Sequence, residues 1–220
     1  MEVKEAKIKG AKAEMPQQQV WNEIAEGWTN WRQKPVDMAE KLAQEWQPGK
    51  ILDIGCGNCR NLLPFARAGF ECYGIDFSHK MIELARGNCK KNGAKVKLQV
   101  AYVDELPFKN ATFDYVITIA VIHHLDTKEK RIKAVEEIKR VLKPGGKALI
   151  LVWNKLQWNL VFKPKDACIP WKRKGTEYMR YYHLFTHWEM LRLIKATGLR
   201  ILGSSGPFEK NLQFIVEKKG

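Results

Sequence analysis

Apolar positions along the chain change spacing about fifty residues in. Before that point, Val20, Ile24 and Trp28 recur at helical intervals within "QQQVWNEIAEGWTNW". Pro35 fits the first turn of a second helix through "VDMAEKLAQEW", which stops at "QPGK". Helices are therefore expected within residues 17–47, after a charged, non-periodic stretch, 1–14, that reads as a flexible tail. Beyond it, short apolar runs alternate with amphipathic ones. "KILDIG", "FECYGID", "KVKLQVAYVD", "FDYVITIAVI" and "KALILVW" read as strands, the fourth apolar enough for burial on both faces. Between them "NLLPFARAG", "SHKMIELARGNCKKNG" with Ser78 as N-cap, and "KEKRIKAVEEIKRVL" read as helices. The last places Ile132, Val135, Ile138 and Leu142 on one face, and "PGG" then turns the chain. Strands alternating with helices predict an α/β, doubly wound parallel sheet. "LRILGSSGPFEKNLQFIVEKK" holds two more strands with no room for a crossover helix, so a terminal antiparallel hairpin completes seven strands. With 220 residues and no repeat or linker, residues 15–220 form one domain.

Composition narrows the class. The chain is 45% hydrophobic and 28% charged, with no apolar run long enough to span a bilayer. "MEVKEAKIKG" lacks the apolar core of a signal peptide, so a cytoplasmic protein without membrane contact is expected. Five cysteines make no disulfide framework. Cys56 and Cys59 form a lone C-x-x-C pair without the further ligands of a zinc site, so no metal is expected and the pair reads as small side chains in a tight loop. Net charge is +14 and unevenly spread, with 13 basic and 5 acidic residues in 151–220. The stretch "WKRKGTEYMRYYHLF" interleaves that charge with aromatics. It reads as a surface for a phosphate-rich partner such as nucleic acid, or as a solvated lysine-rich face.

Candidate chemistry lies at the strand ends, where such sheets bind ligands. "ILDIGCGNCRN" breaks the first strand on Gly55 and Gly57, letting backbone approach a ligand closely. The third glycine of a dinucleotide fingerprint is absent, because Arg60 stands there. Asp76 ends the second strand, 19 residues after Gly57, a placement suited to ribose hydroxyls of either NAD or S-adenosylmethionine. Asp104 follows the third strand, within reach of an exocyclic adenine amine, and "AVIHHL" follows the fourth.

Taken in order, "LDIGCGN", "GID", "VDELPF", "FDYVITIAVIHHL" and "LKPGG" resemble the class I, Rossmann-like methyltransferases that use S-adenosylmethionine. Their terminal hairpin favours that cofactor over NAD. The resemblance implies cofactor contacts from Asp53, Gly55, Cys56, Gly57, Asp76, Phe77, Met81, Asp104, Glu105, Leu106 and Ala120, with Asp53 also readable as a loop-shaping residue. The [DNS]-P-P-[aromatic] motif of base-amine methylases is missing after the fourth strand, and no cysteine nucleophile lies there. Both absences point to an oxygen acceptor, or to one that is already nucleophilic. A carboxylate qualifies, being ionised at neutral pH and needing no general base.

A narrower likeness agrees. "WNEIAEGWTNWRQKP", "FDYVITIAVIHHLDT", "LVWN" and "RYYHLFTHWEMLRL" resemble the tRNA wobble-uridine carboxymethyl methyltransferases, which include the methyltransferase domain of an AlkB-type hydroxylase. That family esterifies 5-carboxymethyluridine in the anticodon, commonly beside a small zinc-binding activator protein. The resemblance implies active-site roles for Arg32, His123, Asn154, Arg180 and His183, with tRNA facing the basic C-terminal part and a monomer or heterodimer as the working unit. Arg32 reads equally as a ligand for the cofactor's own carboxylate. Tyr181, Tyr182, Leu184 and Phe185 also read as core packing, and His124 as a core histidine bonded to a backbone carbonyl. The alternative functions are a metabolite methyltransferase, since "LPF" and "LKPGG" are widespread, or a tRNA methyltransferase acting at another position.

Overall fold

The computed structural model describes residues 15–173 and 175–220, so the expected tail 1–14 lies outside the described residues. Helix α1 (Gln17–Trp31) and helix α2 (Asp37–Glu45) precede the sheet. Pro35 does not open the second helix; Val36 is its N-cap residue, and the Val36 N–H is taken by Asn61 Oδ1 at 3.1 Å. Strand β1 (Lys50–Ile54), helix α3 (Leu63–Arg67), β2 (Glu71–Asp76), helix α4 (His79–Lys91), β3 (Val96–Val100), β4 (Phe113–Ile119), helix α5 (Lys128–Val141) and β5 (Leu142–Trp153) follow in alternation. Ser78 caps α4 by accepting from Met81 N at 3.1 Å, as the sequence predicts.

The seven-stranded sheet runs β3-β2-β1-β4-β5-β9-β8. The first five strands are parallel; β9 (Asn211–Glu217) and β8 (Arg200–Ser204), joined by a tight loop, are antiparallel and bring the chain back beside β5. Two apolar layers cover the sheet. One holds Leu52, Ile54, Val116, Ile150 and Phe214 under α5 and helix α6 (His187–Ala196); the other holds Ile51, Phe65, Ile117 and Leu149 against α2 and α3. Burial of β4 from Val116 to Ile119 on both faces explains why its second half is almost wholly apolar, Thr118 being the exception.

One pair of strands departs from expectation. Strands β6 (Asp166–Arg173) and β7 (Thr176–His183) form a separate antiparallel hairpin where the sequence suggests only a basic aromatic surface. Gln17 straps α1 to that hairpin: its Nε2 donates to Met179 O at 3.1 Å, and its Oε1 accepts from Tyr181 N at 3.0 Å. Gln18 Nε2 donates to Phe77 O at 2.7 Å, at the end of β2. Helix and hairpin together roof the carboxyl ends of the parallel strands.

Candidate active site

A cavity opens under that roof. Its walls come from the ends of β1 to β5: Ile54–Gly57, Ile75–Phe77, Ala101–Asp104, Ile119–Val121, His123–Leu125 and Trp153. The glycine loop is pinned across the sheet by Cys56 N donating to Ile75 O at 2.8 Å. Gly55 and Gly57 have φ of 69° and 53°, left-handed values that suit glycine. Asp76 closes the loop from below, accepting from Gly57 N at 3.0 Å and from Ser78 N at 2.9 Å. Burial raises its carboxyl to about 6, the two N–H bonds opposing the rise.

The expected cofactor residues divide. Gly55, Cys56, Gly57, Asp76, Phe77, Met81, Asp104 and Ala120 all line the cavity. Glu105 and Leu106 do not: the chain bends away after Asp104, Glu105 is exposed, and Leu106 N–H is held by Glu137 Oε2 at 2.8 Å. Asp53 is 1% exposed and off the wall, yet neither carboxylate oxygen has a partner among the described residues. Burial pushes its pKa well up, Asp76 adds to this, and Arg60 opposes it. A dry, unpartnered carboxylate calls for a cationic ligand group nearby.

The other end of the cavity is lined by donors. Asn58 Nδ2 donates to Arg32 O at 2.8 Å, and Arg60 donates to Lys34 O, so the segment after α1 is tied over the glycine loop. This puts Arg32 on the wall, its guanidinium 4.9 Å from the Trp31 ring centre. Arg180 arrives from β7, 7% exposed, between Trp171 at 5.1 Å and Tyr182 at 5.4 Å. Its Nη1 donates to the Tyr182 hydroxyl at 2.9 Å. Neither arginine has a carboxylate partner among the described residues, and the Nε of each is buried and unpaired. Burial depresses the Arg180 pKa, and that of Arg60 to about 10.

His123 is wholly buried on this wall. Its Nδ1 accepts the Trp153 N–H at 3.1 Å, so the proton of the neutral ring sits on Nε2, which has no partner. Burial, then the charges of His124, Arg180 and His183, hold its pKa well below the ordinary imidazole value. His123 is therefore a fixed N–H donor at neutral pH. His124 behaves as expected, with Nδ1 bonded to Tyr181 O at 2.9 Å.

Two expected active-site residues stand elsewhere. Asn154 has every polar atom occupied: Nδ2 donates to Pro207 O at 2.9 Å and Glu209 O at 2.7 Å, and Oδ1 accepts from Leu156 N at 3.0 Å. His183 is held between Asp166 at 2.7 Å and Glu189 at 2.9 Å. Neither lines the cavity. The sequence in turn assigns no site role to Gln17, Trp28, Arg60 and Trp153 on its wall, and for Tyr182 offers core packing as one reading. Only Arg60 carried a signal, as a basic residue in the glycine loop.

A parallel sheet with its cofactor-type loop after the first strand, an acid at the end of the second and an antiparallel terminal pair defines a class I, Rossmann-like methyltransferase fold. Residues 52–150 match the methyltransferase domain family. The Schizosaccharomyces pombe tRNA (carboxymethyluridine(34)-5-O)-methyltransferase is 32% identical over 91% of this chain and 95% of its own. The chain belongs to that enzyme's family. A probable tRNA methyltransferase 9B of Mus musculus is 36% identical over 70% of this chain, which spans about a third (33%) of that relative's length. In fold the chain is also similar to a Haloferax volcanii methyltransferase solved in complex with the Trm112 methyltransferase activator, at TM-score 0.67 and 15% identity over 93% of this chain and 96% of that one.

Proposed function

We propose that this protein is an S-adenosylmethionine-dependent tRNA methyltransferase that esterifies the carboxylate of 5-carboxymethyluridine at the wobble position. The observation that carries the reading is the donor wall: Arg32 and Arg180 without acidic partners among the described residues, beside a neutral His123 whose Nε2–H is likewise unpaired there. Such a wall suits an oxyanion. The family relative's name supports the acceptor.

The cofactor, when bound, supplies a methyl group on a sulfonium together with its own leaving group. Asp76 would accept from the ribose hydroxyls and Asp104 from the adenine amine. Phe77 and Met81 would flank the base, and Ala120 and the Gly55–Gly57 backbone would leave room for the rest. Asp53 would balance the ammonium of the amino-acid end; its orphaned carboxylate fits that charge. Arg32 and Arg180 would hold the acceptor carboxylate in line, and His123 would donate to one of its oxygens. An ionised carboxylate loses no proton on attack, so the site needs no base. His123 matches that requirement, since Nδ1 is occupied by Trp153 and Nε2 carries a hydrogen. Asn154 and His183 would support the walls without touching the acceptor.

The basic C-terminal part would receive the tRNA, with a small zinc-binding activator as partner, and the enzyme would act in the cytoplasm. Among the described residues no helix is long and apolar enough to cross a membrane. The test uses labelled cofactor and two tRNAs, identical except for the carboxymethyl group. Label should enter only the carboxymethylated tRNA and be released by mild alkali. Equal labelling of both would refute the reading.

A further inference from the structure

We propose that the Tyr182 hydroxyl touches the acceptor, as a neutral donor that joins Arg180 and His123 on the acceptor's oxyanion. This rests on the function proposed above. Tyr182 is 2% exposed and lines the cavity. Its ring is locked by stacking on Trp153 at 4.6 Å and 23°, and on His123 at 5.1 Å and 28°.

The hydroxyl oxygen accepts from Arg180 Nη1 at 2.9 Å. A phenol has one proton to give, and no acceptor for it is found among the described residues. The ionisation of the phenol is pushed up to about 12, mainly by burial, so the proton is present at any working pH. A buried hydroxyl that takes a hydrogen bond and gives none is a site waiting for a ligand acceptor. The acids that line the cavity, Asp76 and Asp104, lie at the end of β2 and after β3, on the cofactor side. A ligand oxygen is what remains to take the Tyr182 proton. Arg180 polarises the hydroxyl it bonds to, which strengthens that donation.

Tyr182→Phe keeps the ring and its stacking and removes only the oxygen. Single-turnover ester formation on tRNA bearing 5-carboxymethyluridine is measured with cofactor saturating, for the parent, Tyr182→Phe, Arg180→Ala and the double variant. Cofactor affinity by calorimetry reports whether each variant is folded. The expected result is a loss of about tenfold to a hundredfold for Tyr182→Phe at unchanged cofactor affinity. A further loss of several-fold is expected when the hydroxyl is removed in the Arg180→Ala background. If the hydroxyl only orients Arg180, its removal costs nothing once Arg180 is gone, and that result overturns the direct contact. A Tyr182→Phe enzyme as fast as an active parent overturns this inference alone. A parent that forms no ester overturns the proposed function and this inference with it.

Discussion

Gly55→Ala tests how tightly the fold presses the cofactor loop against the chain after β4. A Cβ built there would lie 2.3 Å from Val121 Cγ2 and 3.1 Å from Val121 Cγ1. The first distance forces Val121 to move and the second is tight, and Val121 belongs to the short segment that leads into His123. Backbone φ at Gly55 is 69°, which costs an alanine roughly 1–2 kcal/mol. Overpacking adds roughly 1–3 kcal/mol. Together they put the destabilisation at about 2–5 kcal/mol. Val121→Ala in the same chain removes the two methyl contacts, leaving only a tight 3.3 Å approach to the residue 121 Cβ and the backbone cost, so the double variant should recover about 1–3 kcal/mol of it beyond simple additivity. Urea unfolding of all four proteins, with m-values checked for constancy, gives the cycle. A Gly55→Ala midpoint within about 0.5 kcal/mol of the parent, or strict additivity in the cycle, would refute the close approach.

Other expectations follow from the site. Ribose hydroxyls need Asp76 ionised, and its carboxyl titrates at about 6, so cofactor affinity should be full above that pH and fall below it. Calorimetry across that range should show the acid limb vanish in Asp76→Asn; a limb that persists assigns it to another group. Arg180→Ala should cost about 2–5 kcal/mol in kcat/KM for tRNA with cofactor binding intact. Lysine should rescue it only in part, for want of the planar fork; full rescue would show that charge alone suffices. Asn154→Ala should lower stability, by about 1–3 kcal/mol for each buried group left without a partner, and leave cofactor affinity unchanged. Lost catalysis in a stably folded Asn154→Ala enzyme would restore it to the site.

The sheet was legible because β1, β2, β4 and β5 are buried on one or both faces, the edge strand β3 alternates half-buried with exposed residues, and the longer crossover helices show one apolar stripe. At the cofactor end Gly55, Gly57, Asp76 and Asp104 stand out because glycines and acids at strand ends are rarely needed for packing, and all four line the cavity. Hairpin β6–β7 was not legible. Its second strand is buried on successive residues, Arg180 to His183, because α1 covers one side and the segment after β4 the other, so no two-residue alternation survives. Pro170 also reads as a strand breaker, yet it sits on β6, opposite Met179, where the two-stranded sheet has an open edge. Asn154 and His183 show the limit of a motif read in one dimension. Both are buried and fully bonded, but their partners, the loop before β9 and the acids Asp166 and Glu189, are brought to them only by the fold. Arg173 makes the same point about charge. Within the basic run it pairs with Glu26 of α1 at 2.5 Å, and so anchors the roof instead of standing free for phosphate.

In the proposed reaction a carboxylate oxygen receives the methyl group. Nucleoside mass spectrometry reads that atom, on tRNA whose 5-carboxymethyluridine carries oxygen-18 in both carboxylate positions. The expected product is a methyl ester on that uridine, retaining both heavy oxygens and lost to mild alkali. A base-stable methyl on guanine, adenine or ribose would contradict it.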